Sequence, residues 1–175
     1  MRVIQAETWL HGTGVLALGT CVAKVRPADM AKVYQTRAGE IWTKRGGLTG
    51  MLSGVTASKY DAQNLTSILQ EYSVTPARSS ATKGMAAGTP RQLRMDEPHG
   101  DGPKTFVVAA RQQPAAVEPF TQCLFRAYPN PDCGSEGRND CEVWEAGRAT
   151  TAAPTFFAPF EMGSERYDIF CRCAL

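Results

Sequence analysis

Apolar positions recur at clear helical spacing in two stretches of the chain, two further stretches read as helices and two short ones as strands. From Gly12 the text GTGVLALGTCVAK places glycines and a threonine ahead of a small apolar run, which predicts a tight turn opening a buried helix. Pro27 suits a first helical turn. After it, Met30, Val33, Tyr34, Ala38, Ile41 and Trp42 keep one face apolar until Gly46-Gly47 ends the pattern. A further helix starts at Asp61, a good N-cap, with Ala62, Leu65, Ile68, Leu69 and Tyr72 as its apolar face.

Periodicity then fails. Residues 73–103 are rich in Pro, Gly, Ser, Thr and charge, and predict a long mobile surface loop. Thr105 to Ala110 is a short unbroken apolar run between Pro103 and Pro114, the text of a strand buried on both faces. Cys123 to Tyr128 is a second strand candidate. A turn-rich stretch over 129–139 precedes a helix with Asp140 as possible N-cap, limited by Pro154 and followed by an aromatic segment. Helices mixed with buried strands predict an α/β fold.

Composition narrows the functional classes. The 175 residues carry 19 Lys plus Arg against 17 Asp plus Glu, a net charge of +2, so charge gives no argument for a nucleic-acid partner. With 43% apolar and 21% charged residues, a wholly disordered chain is excluded. No signal peptide or transmembrane run is visible, and the expected location is intracellular, cytoplasmic or peripheral to a membrane. The cysteines are spaced too loosely for a zinc ribbon, no metal or other cofactor is implied, and reduced thiols are the expectation. His11 and His99 are the two histidines, a scarcity that disfavours histidine-dependent hydrolysis.

The stretch Cys141 to Phe157 reads CEVWEAGRATTAAPTFF. It resembles the W-x-A-x-R-A-T-S-A-A-P-x-x-F segment of patatin-like phospholipase domains. Upstream, TFVVAA followed by Phe125-Arg126-Ala127-Tyr128 resembles that family's strand and F-R-N-Y-like hairpin. Gly14 to Gly19 resembles the helix after the nucleophile, and PADMAKVYQ the helix that follows. The resemblance spans 12–167 as a partial domain interrupted by the 73–103 loop, leaving 1–11 and 168–175 as ends without family text. It implies a truncated three-layer α/β fold with an incomplete, mostly parallel sheet. It also implies a lipid acyl hydrolase acting through a serine and an aspartate, and a lipid or membrane surface as partner.

The family's serine lies in G-x-S-x-G, on a sharp strand-to-helix turn. Its aspartate, in D-G-G or D-G-A, is the base. A glycine-rich loop supplies oxyanion donors. This chain has no G-x-S-x-G, and an ungapped match puts His11 at the serine position. Asp168 stands about one residue from the expected aspartate with no glycine after it, and Asp101-Gly102 precedes a strand and reads as loop chemistry. The expectation is therefore a catalytically impaired fragment, a pseudoenzyme in which no catalytic residue is intact and Asp168 is the remaining candidate base. The alternative is a non-catalytic remnant that binds a lipid surface or a partner. Arg148, Phe156 and Phe157 are the candidate substrate-binding residues. Arg148 is open to three placements: on a phosphate head group, in a buried salt bridge, or capping a loop carbonyl. Phe156, Phe157 and Phe160 could contact acyl chains or simply fill the core.

Overall fold

The computed structural model describes residues 14–44, 58–74, 91–97, 103–112, 120–129, 137–153 and 156–168. Its elements in chain order are α1, a π-helical stretch at Leu18–Val22, α2 at Pro27–Ile41, α3 at Ala62–Tyr72, β1 at Phe106–Gln112, β2 at Phe120–Arg126, β3 at Gly137–Arg138, α4 at Val143–Thr150, β4 at Phe160–Met162 and β5 at Glu165–Asp168. The class is mixed α/β. Among the described residues no helix is long and apolar enough to cross a membrane.

The five strands form one mixed sheet in the order β3-β2-β1-β5-β4. The expected mostly parallel sheet is corrected here. β1 runs antiparallel to both β2 and β5, β4 runs antiparallel to β5, and only the two-residue β3 lies parallel to its neighbour. The reason is connector length. Residues 113–119 join β1 to β2, and a parallel crossover needs a dozen or more residues. Gly163 and Ser164 alone join β4 to β5, and Gly163 takes the left-handed backbone, φ +62°, that a two-residue hairpin with glycine at its first central position uses.

Strand alternation sorts the β1 side chains. Val107 and Ala109 are buried on the face that packs against α4, while Phe106, on the opposite face, is 50% exposed. On that opposite face burial grows along the strand, from exposed Phe106 through half-buried Val108 to buried Ala110, so the buried-strand reading holds except at Phe106.

The helices stack outward from that sheet face: α4 lies on β1, β4 and β5, α3 on α4, and α2 on α3. α4 is thereby flanked by two apolar clusters. One, towards the sheet, holds Val107, Ala109, Cys123, Phe125, Ala146 and Tyr167. The other, towards the outer helices, holds Met30, Val33, Ile41, Leu65, Leu69 and Phe157.

Two helices begin where expected. Pro27 occupies the first turn of α2, and the Asp61 carboxylate caps α3 by accepting from the Gln63 N–H at 2.9 Å. α2 ends at Ile41, earlier than the glycine pair. α4 starts two residues later than Asp140 suggested, because Glu142 and Glu145 form a reciprocal capping box that satisfies the first-turn donors. The expected loop also needs correcting in part. Residues 75–90 and 98–102 lie outside the described residues, but 91–97 packs into the fold. Met95 is fully buried and its N–H donates to the Cys141 carbonyl at 2.9 Å, while Leu93 exchanges backbone bonds with Ser73 and Val143.

Candidate functional site

The segment that carried the resemblance lies in the middle of the molecule. Ala146, Ala149 and Ala152 have no exposed surface. Small residues let α4 approach its neighbours closely. A Cβ built on Gly147 would stand 3.4 Å from Leu69 Cδ2, already in van der Waals contact. Thr150 Oγ1 donates to the Val108 carbonyl at 2.8 Å and pins the helix to β1. Thr151 Oγ1 donates back to the Gly147 carbonyl at 2.9 Å, closing the last turn.

This anchoring holds Arg148 inside the fold. The residue is 2% exposed. Its Nη2 donates to the Ala158 carbonyl at 2.6 Å, so the loop-carbonyl placement is the one the fold realises. Its Nη1 is buried with no hydrogen-bond partner. The guanidinium carbon lies 5.9 Å from the ring centres of both Phe157 and Phe160. Among the described residues no carboxylate forms a salt bridge with it. Burial without a counter-charge pulls its pKa down to about 10, which still leaves it cationic at neutral pH.

The aromatic segment continues this group outward. Phe157 is buried and packs its ring 5.4 Å from Trp42 and 5.9 Å from Tyr60. Phe156 is half-buried and stacks on Tyr60 at 6.2 Å. Lys59 Nζ lies over both rings, 5.3 Å from Tyr60 and 6.0 Å from Phe156. Phe160 meets Trp144 edge to face, and the Trp144 indole N–H donates to the Glu142 carboxylate. The structure thus brings Arg148, Phe156 and Phe157 together, as the sequence analysis grouped them. Phe160, read in the sequence with Phe156 and Phe157, joins the same group, as does Trp144 from the helix that carries Arg148. The fold adds Trp42, Lys59 and Tyr60, which the sequence does not mark as partners because they come from separate segments.

Asp168 is placed by its register on β5 opposite Ala110, one residue after Tyr167, whose strand partner on β4 is Phe160. His11 and Asp101-Gly102 lie outside the described residues.

A second polar group sits on the helix-packed face of the sheet. Arg138 Nη1 donates to Glu165 Oε2 at 2.5 Å and to the Tyr167 hydroxyl at 3.0 Å, and that hydroxyl donates to the same carboxylate oxygen at 2.6 Å. Arg111 Nη1 reaches the other Glu165 oxygen at 3.1 Å, and Arg138 Nε reaches Asp140 at 2.5 Å. The group ties β1, β3 and β5 together with charges matched two against two. Glu165 and Tyr167 stand two apart on one strand, a signal legible in the sequence; their arginine partners are not. Nearby, burial raises the Cys123 thiol pKa and pushes that of Cys141 up to about 12, so neither supplies a thiolate nucleophile at neutral pH.

The helical layer holds a partly open apolar cavity of about 40 Å³ lined by Leu18, Met30, Ile41, Leu65, Leu69 and Val143, among others. It is well below the roughly 150 Å³ that admits a benzene-sized ligand, and so does not serve as a substrate pocket in this conformation.

No family model, no curated protein and no solved structure matches this chain.

Proposed function

We propose that this chain is a lipid acyl hydrolase scaffold of the patatin-like type that is catalytically impaired. In its active form such a scaffold would cleave acyl esters of phospholipids, galactolipids or acylglycerols through a serine and an aspartate. The observation that carries the reading is the complete burial of the segment Arg148, Ala149, Thr150, Thr151, Ala152, Ala153 at the centre of the molecule, where a family-defining helix would have to lie. The impairment rests on the absence of G-x-S-x-G and of D-G-G or D-G-A from these 175 residues. Cys123 and Cys141 do not replace the missing hydroxyl, since both are held protonated.

The test combines a fluorophosphonate serine probe, fatty-acid release from phospholipid vesicles, and binding to micelles of a non-hydrolysable ether phospholipid. The expected outcome is no labelling and no release, with saturable binding to the ether lipid. Serine labelling with turnover would overturn the impairment. Failure to bind the ether lipid would overturn the lipid scaffold itself.

One observation favours the non-catalytic lipid-surface remnant as a second reading. Phe106 and Phe120 are 50% and 44% exposed, and large exposed aromatics suit a membrane interface. Under it, Phe106→Ser and Phe120→Ser together would reduce co-sedimentation with vesicles; unchanged co-sedimentation would remove it.

A further inference from the structure

Arginine is almost never fully buried unless it is paired. Arg148 is buried, cationic and, among the described residues, without a carboxylate, and one of its terminal nitrogens has no hydrogen-bond partner. A second cation, Lys59, lies on the same aromatic cluster and is likewise held by ring faces. The two are linked through adjacent residues, since Lys59 covers Phe156 and Arg148 covers Phe157. Glu142, which approaches this cluster, already accepts from the Trp144 indole and from the first turn of α4. The covering layer is thin. Phe156, Ala158, Pro159 and Phe160 are each only half-buried, so the guanidinium lies just beneath the surface loop that it caps.

From the buried Nη1 of Arg148 and the aromatic surroundings it shares with Lys59, we infer that the loop around Ala158 covers a binding site for a phosphate-bearing anion. The guanidinium fork matches phosphate oxygens in shape and charge. A ligand oxygen on Nη1 would supply the missing acceptor, and the ammonium of Lys59 would add attraction at the entrance. This inference stands on burial and charge alone and does not depend on the acyl-hydrolase reading. A chain that never binds an ether lipid could still bind phosphate here.

The experiment follows thermal unfolding of the full chain in sodium phosphate against sodium chloride at equal ionic strength. A saturable rise in the melting midpoint is expected, about 5–10 °C at roughly a hundred times the dissociation constant. Arg148→Met is expected to abolish that rise while melting no lower than the parent in chloride. No rise in the parent, or an equal rise in the variant, would overturn the site. If Arg148→Met does not fold, Lys59→Gln on the exposed lysine gives the second reading. Phosphate affinity should fall about two- to fivefold, and unchanged affinity would overturn the site. Vesicles of phosphatidylcholine with and without phosphatidate identify the source. Binding that requires phosphatidate and is lost with Arg148 assigns a lipid phosphate, whereas a response confined to inorganic phosphate assigns a free phosphate-bearing ligand.

Discussion

One arginine lies on the central helix and another on the strand that precedes it, and the fold treats them in opposite ways. Arg138 on β3 is half-buried and meets Glu165, Asp140 and the Tyr167 hydroxyl within 3.3 Å. Burial lowers its pKa, but hydrogen bonds to Tyr167 and Asp140 and their charges outweigh that, and the net shift is upward. Arg148 on α4 is more deeply buried, keeps one carbonyl partner, and its pKa moves down to about 10. The difference shows how little a buried charge says by itself. In the first case the protein supplies oxygens from β5 and from the turn after β3, and the arginine serves as a strut. In the second it supplies aromatic faces and one loop carbonyl, and the capacity left over is what a ligand could use.

The contrast breaks most sharply at Glu165, the carboxylate shared by Arg111, Arg138 and Tyr167. Glu165→Ala leaves two arginines and a buried hydroxyl without it and is expected to destabilise the fold by about 2–3 kcal/mol, discounted from a fully buried pair because the site is part-exposed. Urea unfolding checks this, and a loss within about 0.5 kcal/mol would reduce the network to surface decoration.

The same carboxylate predicts a pH dependence. The Tyr167 hydrogen bond, with the charges of Arg138 and Arg111, holds its pKa below the ordinary 4.5 despite the opposing effect of burial. A depressed folded value means stability that is present above pH 4.5 and lost as pH falls through the folded value. The stability gap between the parent and Glu165→Gln should therefore be widest at neutral pH and close in strong acid; a gap constant across that range would exclude a charge effect.

Tyr167→Phe removes one hydroxyl and keeps the ring that packs 5.3 Å from Phe125. The expected cost is about 1 kcal/mol, and in a double-mutant cycle with Glu165→Gln the two losses should not add. The smallest effect belongs to the other arginine. Arg148→Met, measured in chloride, is expected to fall between no change and about 1 kcal/mol of stabilisation, because an unpaired buried charge is exchanged for a flexible apolar chain. A loss above about 2 kcal/mol would instead make the bond to Ala158 a structural keystone, and the two arginines would no longer contrast.

Much of the frame was legible locally. Pro27, the Asp61 cap and the helical spacing of Met30, Val33, Leu65 and Leu69 describe α2 and α3 because capping and amphipathic burial act over one or two turns. The small residues around Arg148 announced a close-packed helix. The antiparallel pairing of β1 with β2 and of β4 with β5 was also written in the chain, in a seven-residue connector and a Gly-Ser pair, whereas that of β1 with β5 was not. The mostly parallel sheet was the expectation that the family resemblance carried, and those connector lengths spoke against it.

What the tertiary structure alone decided is which charges meet. Arg138 finds Glu165 27 positions away and Arg111 finds it 54 away. Met95 is buried from inside a stretch whose composition reads as loop, and Arg148 is left with two phenylalanines and a carbonyl. Local sequence carries periodicity and caps, because those depend on neighbours along the chain. It carries no record of a partner brought near by folding, so the pairing of one arginine and the unpartnered nitrogen of the other appear only once the sheet and helices are stacked.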